Sequence, residues 1–93
     1  MAAIFITGAS SGIGKATAKY FAAKGWEVIA TMRSPEKEKE LTKLGNVHLM
    51  KLDVTNPEQI NEVCDKAIAT YDIDVLFNNA GYGIMAPFEK IDE

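Results

Sequence analysis

Short apolar runs alternate with amphipathic stretches along this sequence, and no other feature constrains the fold as strongly. The first run, Ala3 to Thr7, is apolar and β-branched until Gly8 ends it, as expected of a parallel strand buried on both faces. Similar runs occupy Trp26 to Met32, Val47 to Leu52 and Ile73 to Phe77. Because an amphipathic stretch separates each pair of runs, the predicted order of elements is β-α-β-α-β-α-β.

Two of the amphipathic stretches have strong helix signals. From Gly12 to Lys24 apolar side chains recur at helical spacing, and Gly25 stands where a left-handed residue typically ends a helix. Further along, Asn56 is a candidate N-cap with Gln59 placed to reach back to it, and an apolar stripe runs from Ile60 to Tyr71. Both segments are predicted to be helices.

The stretch between these two helices has a weaker signal. Ser34 is a candidate N-cap that precedes a proline, but only Leu41 and Leu44 supply an apolar stripe. The charged run from Glu36 to Glu40 is typical of a solvated helix face. A short, exposed second helix is therefore predicted here.

The order of elements limits the topology of the sheet. Parallel strands that are joined by helices cross over right-handed, which gives the expected strand order 3-2-1-4 with helices on both faces. This is an α/β fold, a three-layer open parallel sheet equivalent to half of a Rossmann fold. With 93 residues, the chain is expected to form a single domain, 1–93.

Composition and charge exclude several classes of function. Ten Lys and Arg against thirteen Asp and Glu give a formal charge of -3 without a basic block, so nucleic acid and membranes are not expected partners. Cys64 has no second cysteine for an internal disulfide, and with His48 as the single histidine a tetrahedral zinc site is not expected. We expect a metal-free cytoplasmic domain, with Cys64 and His48 in structural roles.

A glycine-rich octapeptide, TGASSGIG, joins the first strand to the first helix. Gly8 would allow the tight turn, Gly12 would let the backbone approach a pyrophosphate, and Gly14 would let the helix pack against the strand. Ser10 and Ser11 add hydroxyl donors beside the free N–H groups at the start of the helix. A plain strand-to-helix turn is the alternative, but three glycines at this spacing favour a site for a dinucleotide.

The adjacent lysine suggests a different phosphate site, the P-loop of nucleotide hydrolases. That pattern requires a glycine where Ala9 stands and a Ser or Thr where Ala16 follows Lys15. Both requirements fail, so nucleotide hydrolysis is rejected and Lys15 is expected to be a solvated side chain in the first turn of the helix.

Three motifs in the same order resemble the N-terminal half of a short-chain dehydrogenase/reductase. They are Thr7-Gly-x-x-x-Gly-x-Gly14, Leu52-Asp53-Val54 and Asn78-Asn-Ala-Gly81. The resemblance covers nearly the whole chain. It implies cofactor contacts to the phosphates from Ser10, Ser11 and Ile13, to the adenine from Asp53 and Val54, and to the ribose and nicotinamide from Asn79, Ala80 and Gly81.

The end of the second strand indicates which nicotinamide cofactor is preferred. NAD-binding folds hold an acidic residue about 20 positions after the glycines, where it binds the ribose hydroxyls. Met32 and Arg33 stand in that region here, and a guanidinium can donate to a ribose 2′-phosphate. NADP is therefore expected, and NAD is less favoured.

The family's catalytic residues are not expected among these 93 residues. The resemblance implies a serine, an asparagine and a Tyr-x-x-x-Lys pair beyond the fourth strand. Tyr20 and Lys24 match that spacing, but Tyr20 lies on the first helix, directed away from its phosphate end, and is expected to be core or boundary. Two classes of function remain: part of an NADP-dependent oxidoreductase, or a nucleotide-binding or oligomerising module without catalysis.

The predicted strand order leaves the fourth strand at an edge of the sheet. Ile73 to Phe77 would expose apolar side chains and unpaired backbone groups there, whereas the opposite edge has His48 and Lys51. A homo-oligomer built on the Ile73 to Phe77 edge is therefore expected.

Overall fold

The computed structural model describes residues 2–10, 12–53 and 55–79 and contains one parallel sheet with two α-helices. The sheet has the order β3-β2-β1-β4, which confirms the predicted topology. The elements are β1 (Ala3–Thr7), α1 (Gly12–Ala23), β2 (Glu27–Met32), β3 (Val47–Lys51), α2 (Pro57–Thr70) and β4 (Val75–Asn78).

The central strands β1 and β2 are buried on both faces, which confirms the three-layer architecture. Side chains alternate along β1, so that Ile4 and Ile6 lie in a core with Ala18 of α1, while Phe5 lies in a second core with Cys64 of α2. This double burial explains why β1 is continuously apolar. Cys64 is fully buried, and this burial raises the pKa of its thiol to about 11, so it behaves as a small apolar side chain.

The predicted second α-helix is wrong. Two short 3₁₀ turns, Pro35–Lys37 and Leu41–Lys43, occupy this connection, and Ser34 makes no capping hydrogen bond through its side chain. Leu41 is fully buried and Leu44 packs partly against the same core, which is too little apolar surface to hold a regular helix against the sheet. The segment 33–46 therefore runs as an irregular connection from the carboxyl end of β2 back to the start of β3, with Leu41 in the core between the sheet and α1.

The start of α2 partly confirms its predicted cap. The Asn56 carboxamide accepts a hydrogen bond of 3.2 Å from the Gln59 N–H, as expected of an N-cap. The Gln59 side chain was predicted to reach back to Asn56, the N-cap. It accepts a hydrogen bond from the N–H of Asp53 instead. This contact connects α2 to the end of β3.

Two other side chains differ from their expected surroundings. Tyr20 is 57% exposed and therefore neither core nor boundary, because the next residue, Phe21, is the one that turns inward and meets the Trp26 ring at 4.8 Å. The apolar stripe of α2 also has an exposed member, Ile68. His48 has the structural role expected of it, since its Nε2 lies 2.8 Å from Glu27 Oε1.

Candidate functional site

The turn between β1 and α1 has the backbone conformation that its glycines permit. Gly8 and Gly12 have φ angles of 63° and 59°, in the left-handed region that side chains disfavour. The Ala9 N–H donates to the Thr31 carbonyl at 3.0 Å, and the Thr31 hydroxyl donates to the Ile6 carbonyl at 2.8 Å. The turn is thereby fixed between β1 and β2, at the carboxyl end of the sheet.

Gly14 is required for packing rather than for its backbone angle. A Cβ atom at this position would lie 2.2 Å from the Gly8 carbonyl oxygen and 2.8 Å from Asn79 Nδ2. Asn79 Nδ2 itself donates to the Gly8 carbonyl at 3.1 Å. At Gly12, in contrast, an added Cβ would meet nothing within 4 Å, so this glycine borders open space. The glycine pattern therefore combines a tight packing contact at Gly14 with open space beside Gly12.

A cleft of about 690 Å³ opens beside this turn. Its walls are the glycine turn, the first turn of α1, the end of β2, the segment that follows it, and Leu52. Four cationic side chains line the cleft, together with two carboxylates and two serine hydroxyls, which gives it a surplus of positive charge. The lining residues are Gly8, Ser10, Lys15, Met32, Arg33, Ser34, Lys37, Glu38, Lys39, Glu40 and Leu52.

Most of the described candidate residues lie at one edge of the sheet. Gly8, Ser10 and Arg33 line the cleft, and Arg33 is exposed there. Gly12, Ile13 and Gly14 form the first turn of α1, and Asp53 and Asn79 follow β3 and β4. Ile13 is 68% exposed and does not belong to the apolar stripe of the helix. Ser11, Val54, Ala80 and Gly81 lie outside the described residues.

Asp53 is held in a local turn after β3. Its Oδ1 accepts hydrogen bonds from the Thr55 hydroxyl at 2.6 Å and from the Thr55 N–H at 3.0 Å. These two bonds, with a smaller contribution from the charge of Arg33, hold the pKa of Asp53 below its ordinary value. Asp53 is therefore ionised at neutral pH, and its carboxylate orientation is fixed by the chain itself.

An ion-pair cluster in the cleft was missed by the sequence interpretation. Lys15 Nζ lies 2.8 Å from Glu40 Oε1 and 3.3 Å from Glu38 Oε2, and Lys19 Nζ lies 2.6 Å from Glu40 Oε2. Lys15 is therefore not a solvated side chain, and Glu38, which is buried, is not part of a solvated face. The i, i+4 spacing of Lys15 and Lys19 places two charges on one helical face, but their partners lie far away in sequence.

The cluster shifts the pKa values of Lys15, Glu38 and Glu40. The hydrogen bond from Lys15, followed by that from Lys19, lowers the pKa of Glu40 to about 2. The bond to Glu40 raises the pKa of Lys15. Burial alone would raise the pKa of Glu38, but hydrogen bonds from the Leu41 N–H and from Lys15 hold it below its ordinary value. Glu38 and Glu40 are therefore ionised at neutral pH.

The Tyr20 and Lys24 pair lies elsewhere. Lys24 Nζ is 5.4 Å from the centre of the Tyr20 ring, so the two side chains are neighbours, although α1 ends at Ala23 and Lys24 belongs to the turn that follows it. Neither residue lines the cleft.

Metal and membrane features are not found in the described parts of the chain. Within 2–10, 12–53 and 55–79, no three His, Cys, Asp or Glu side chains are grouped to hold a metal ion. Neither α1 nor α2 combines the length and the hydrophobicity that crossing a bilayer requires.

Comparison with known proteins identifies relatives of this chain. The 3-ketodihydrosphingosine reductase of Bacteroides thetaiotaomicron is 38% identical over 91 residues, which are 97% of this chain and 32% of that protein. A short-chain dehydrogenase from Streptomyces avermitilis superposes with a TM-score of 0.80 at 38% identity, over 84% of this chain and 30% of that one.

A third relative has a cofactor derivative in its structure. The alcohol dehydrogenase of the archaeon Thermococcus sibiricus, complexed with 5-hydroxy-NADP, has a TM-score of 0.75 at 32% identity, over 82% of this chain and 35% of that one. The chain thus spans about a third of the length of each of these proteins. The short chain dehydrogenase family itself matches residues 2–93. This family match agrees with the parallel sheet and with the glycine turn. The chain therefore belongs to the short chain dehydrogenase family.

Proposed function

We propose that this chain is the NADP-binding part of a short-chain oxidoreductase that interconverts alcohols and carbonyl compounds. The observation that supports NADP most directly is Arg33, which follows β2 and lines the cleft beside the glycine turn. Met32 precedes it, so no carboxylate occupies the end of β2, where an NAD-binding fold holds one. A guanidinium at this place can donate two parallel hydrogen bonds to a 2′-phosphate.

The residues around the glycine turn fit a dinucleotide. Gly12 is left-handed and borders open space, so a pyrophosphate can approach the backbone at the start of α1. The Ser10 hydroxyl lies in the same cleft. In this proposal Gly8, Ser10, Ser11, Gly12, Ile13 and Gly14 surround the phosphates, Arg33 binds the 2′-phosphate, Asp53 and Val54 bind the adenine, and Asn79, Ala80 and Gly81 face the ribose and nicotinamide.

The chemistry of such a site is divided between cofactor and protein. A nicotinamide cofactor supplies or accepts the hydride when it is bound. The residues of this chain bind and orient the cofactor, and none of those lining the cleft matches the Tyr-x-x-x-Lys spacing expected for the proton transfer. The NADP derivative bound by the Thermococcus sibiricus relative supports this assignment of cofactor.

The alternative is a nucleotide-binding or oligomerising module without catalysis. It shares the cleft with the first proposal but requires no turnover by any longer form of the protein. This alternative predicts that a longer form of the protein, with residues beyond Glu93, binds the cofactor but does not interconvert alcohols and carbonyl compounds.

Replacing Arg33 with alanine tests the choice of cofactor. Because Arg33 is exposed and solvent screens its charge, we expect a loss of about 1 kcal/mol in NADP binding, or roughly fivefold in Kd. The affinity for NAD, which has no 2′-phosphate, should be nearly unchanged. Isothermal titration calorimetry with both cofactors measures the difference.

Lys66→Ala is the matched control, because Lys66 is an exposed cation on α2 and does not line the cleft. It should leave both affinities unchanged. Equal losses for NADP and NAD in Arg33→Ala would remove Arg33 from the 2′-phosphate site. If the unmodified chain binds neither cofactor, the proposed function itself is wrong.

We also propose that the protein is cytoplasmic. A second copy of the chain would pair with the first along the β4 edge of the sheet. β4 is the last strand of the described sheet, Val75 is 37% exposed, and Leu76 and Phe77 are only partly buried. Val75→Lys should shift a dimer towards the monomer in light scattering. Ile68→Lys, at a residue of 38% exposure on α2, should not. A concentration-independent monomer of the unmodified chain would contradict this assembly.

A further inference from the structure

One wall of the cleft has little secondary structure of its own. The segment 33–46 that follows β2 contains two three-residue 3₁₀ turns and otherwise irregular backbone. It nevertheless supplies most of the polar groups that line the cleft, including Arg33, Ser34 and Lys37. Side-chain contacts must therefore fix the conformation of this wall.

The carboxylate of Glu38 makes several of those contacts. Its Oε2 accepts hydrogen bonds of 2.9 Å from the N–H groups of both Glu40 and Leu41, and lies 3.3 Å from Lys15 Nζ. The side chain is 3% exposed. A buried carboxylate with this set of donors fixes the backbone around it, because each unmade bond would leave a polar group without a partner.

Glu40 extends the same connection on the exposed side. Its two oxygens bind Lys15 and Lys19 at 2.8 and 2.6 Å, and both lysines belong to α1. Lys15 lies in the turn of α1 that follows the glycines. The ion pairs therefore attach the irregular wall to the helix whose start faces the proposed phosphate site.

We propose that Glu38 is a positioning residue for 2′-phosphate recognition, which holds the wall bearing Arg33, Ser34 and Lys37 against Lys15 of α1. The inference rests on the proposed function, since it assumes that the cleft takes a 2′-phosphorylated nucleotide. Glu38 does not contact the ligand in this scheme. It fixes where the donor groups of the wall stand.

Removing the negative charge of Glu38 tests the proposal, because charge repulsion and a positioning role predict opposite changes in phosphate affinity. A carboxylate that lines an anion-binding cleft repels a phosphate, so charge alone predicts that removing it tightens binding. A positioning role predicts the opposite, because the donor groups lose their fixed arrangement. The direction of the change separates the two roles.

The experiment compares adenosine 2′,5′-bisphosphate with AMP by titration calorimetry of the chain and its variants. These probes differ in the 2′-phosphate and need no contact with the nicotinamide side of the site. Glu38→Gln is expected to weaken binding of the bisphosphate about fivefold, by loss of fixed charge-assisted contacts, and to leave AMP nearly unchanged. Glu36→Gln, the same change at an exposed residue of the same segment, should not weaken binding of either probe.

The outcomes distinguish this inference from the proposed function. Unchanged or tighter binding of the bisphosphate by Glu38→Gln overturns the inference, and so does an equal loss for both probes. If Glu38→Gln does not fold by circular dichroism, Glu40→Gln on the exposed side replaces it, with the same expected direction and the same overturning results. If the unmodified chain does not prefer the bisphosphate to AMP, the proposed function fails and the inference fails with it.

Discussion

Gly14→Ala is expected to lower the free energy of unfolding by about 2 kcal/mol. The added Cβ would lie 2.2 Å from the Gly8 carbonyl oxygen, which belongs to the backbone of the turn and has no side-chain freedom to move away. Overpacking of this kind costs up to about 3 kcal/mol, and the better helix propensity of alanine returns only about 1 kcal/mol. Urea unfolding followed by circular dichroism measures the loss.

Two other glycines are controls for this prediction. At Gly45 an added Cβ meets nothing within 4 Å and the backbone is not left-handed, so Gly45→Ala should be nearly neutral. Gly12 also borders open space but has a φ of 59°, so Gly12→Ala should cost about 1 to 2 kcal/mol through backbone strain. Equal stability of Gly14→Ala and Gly45→Ala would contradict this prediction, because it would mean that α1 lies further from the turn than it does in the structure.

Leu41→Ala is expected to lower the free energy of unfolding by about 2 to 5 kcal/mol, the range for truncating a fully buried leucine. Leu41 is fully buried in the core between the sheet and α1. It is also the residue by which the irregular segment 33–46 enters that core, next to the bonds made by Glu38. If the cleft binds NADP as proposed, the variant should lose NADP affinity as well as stability.

Leu44→Ala is the matched control, with the same substitution three residues further along the same segment. Leu44 is only partly buried, so its truncation should cost less than that of Leu41. Thermal unfolding compares the two, and calorimetry with NADP at a temperature where both are folded measures binding. Equal destabilisation by the two variants would show that Leu41 does not anchor the segment.

The strand order and the glycine turn could be predicted because local sequence determines them. β1 is buried on both faces, so every residue from Ala3 to Ile6 is apolar, and right-handed crossovers together with the Rossmann pattern predict the order 3-2-1-4 for the four parallel strands. Gly8, Gly12 and Gly25 all have the positive φ angles for which glycine is favoured. The cap at Asn56 was predictable for the same reason, since its bond closes over three residues.

The polar wall of the cleft could not be predicted from the sequence. The charged run from Glu36 to Glu40 has the composition of a solvated helix face, and nothing within the run distinguishes the buried Glu38 from the exposed Glu36. The difference arises from Lys15, which lies on α1 and meets Glu38 only when α1 and β2 pack side by side. Ion pairs between distant segments leave no periodic pattern, because Coulomb attraction depends on distance in space rather than along the chain. The sequence by itself therefore determined the sheet, the helices at its faces and the glycine turn, whereas tertiary packing alone decided which charges stand in the cleft and which are neutralised there.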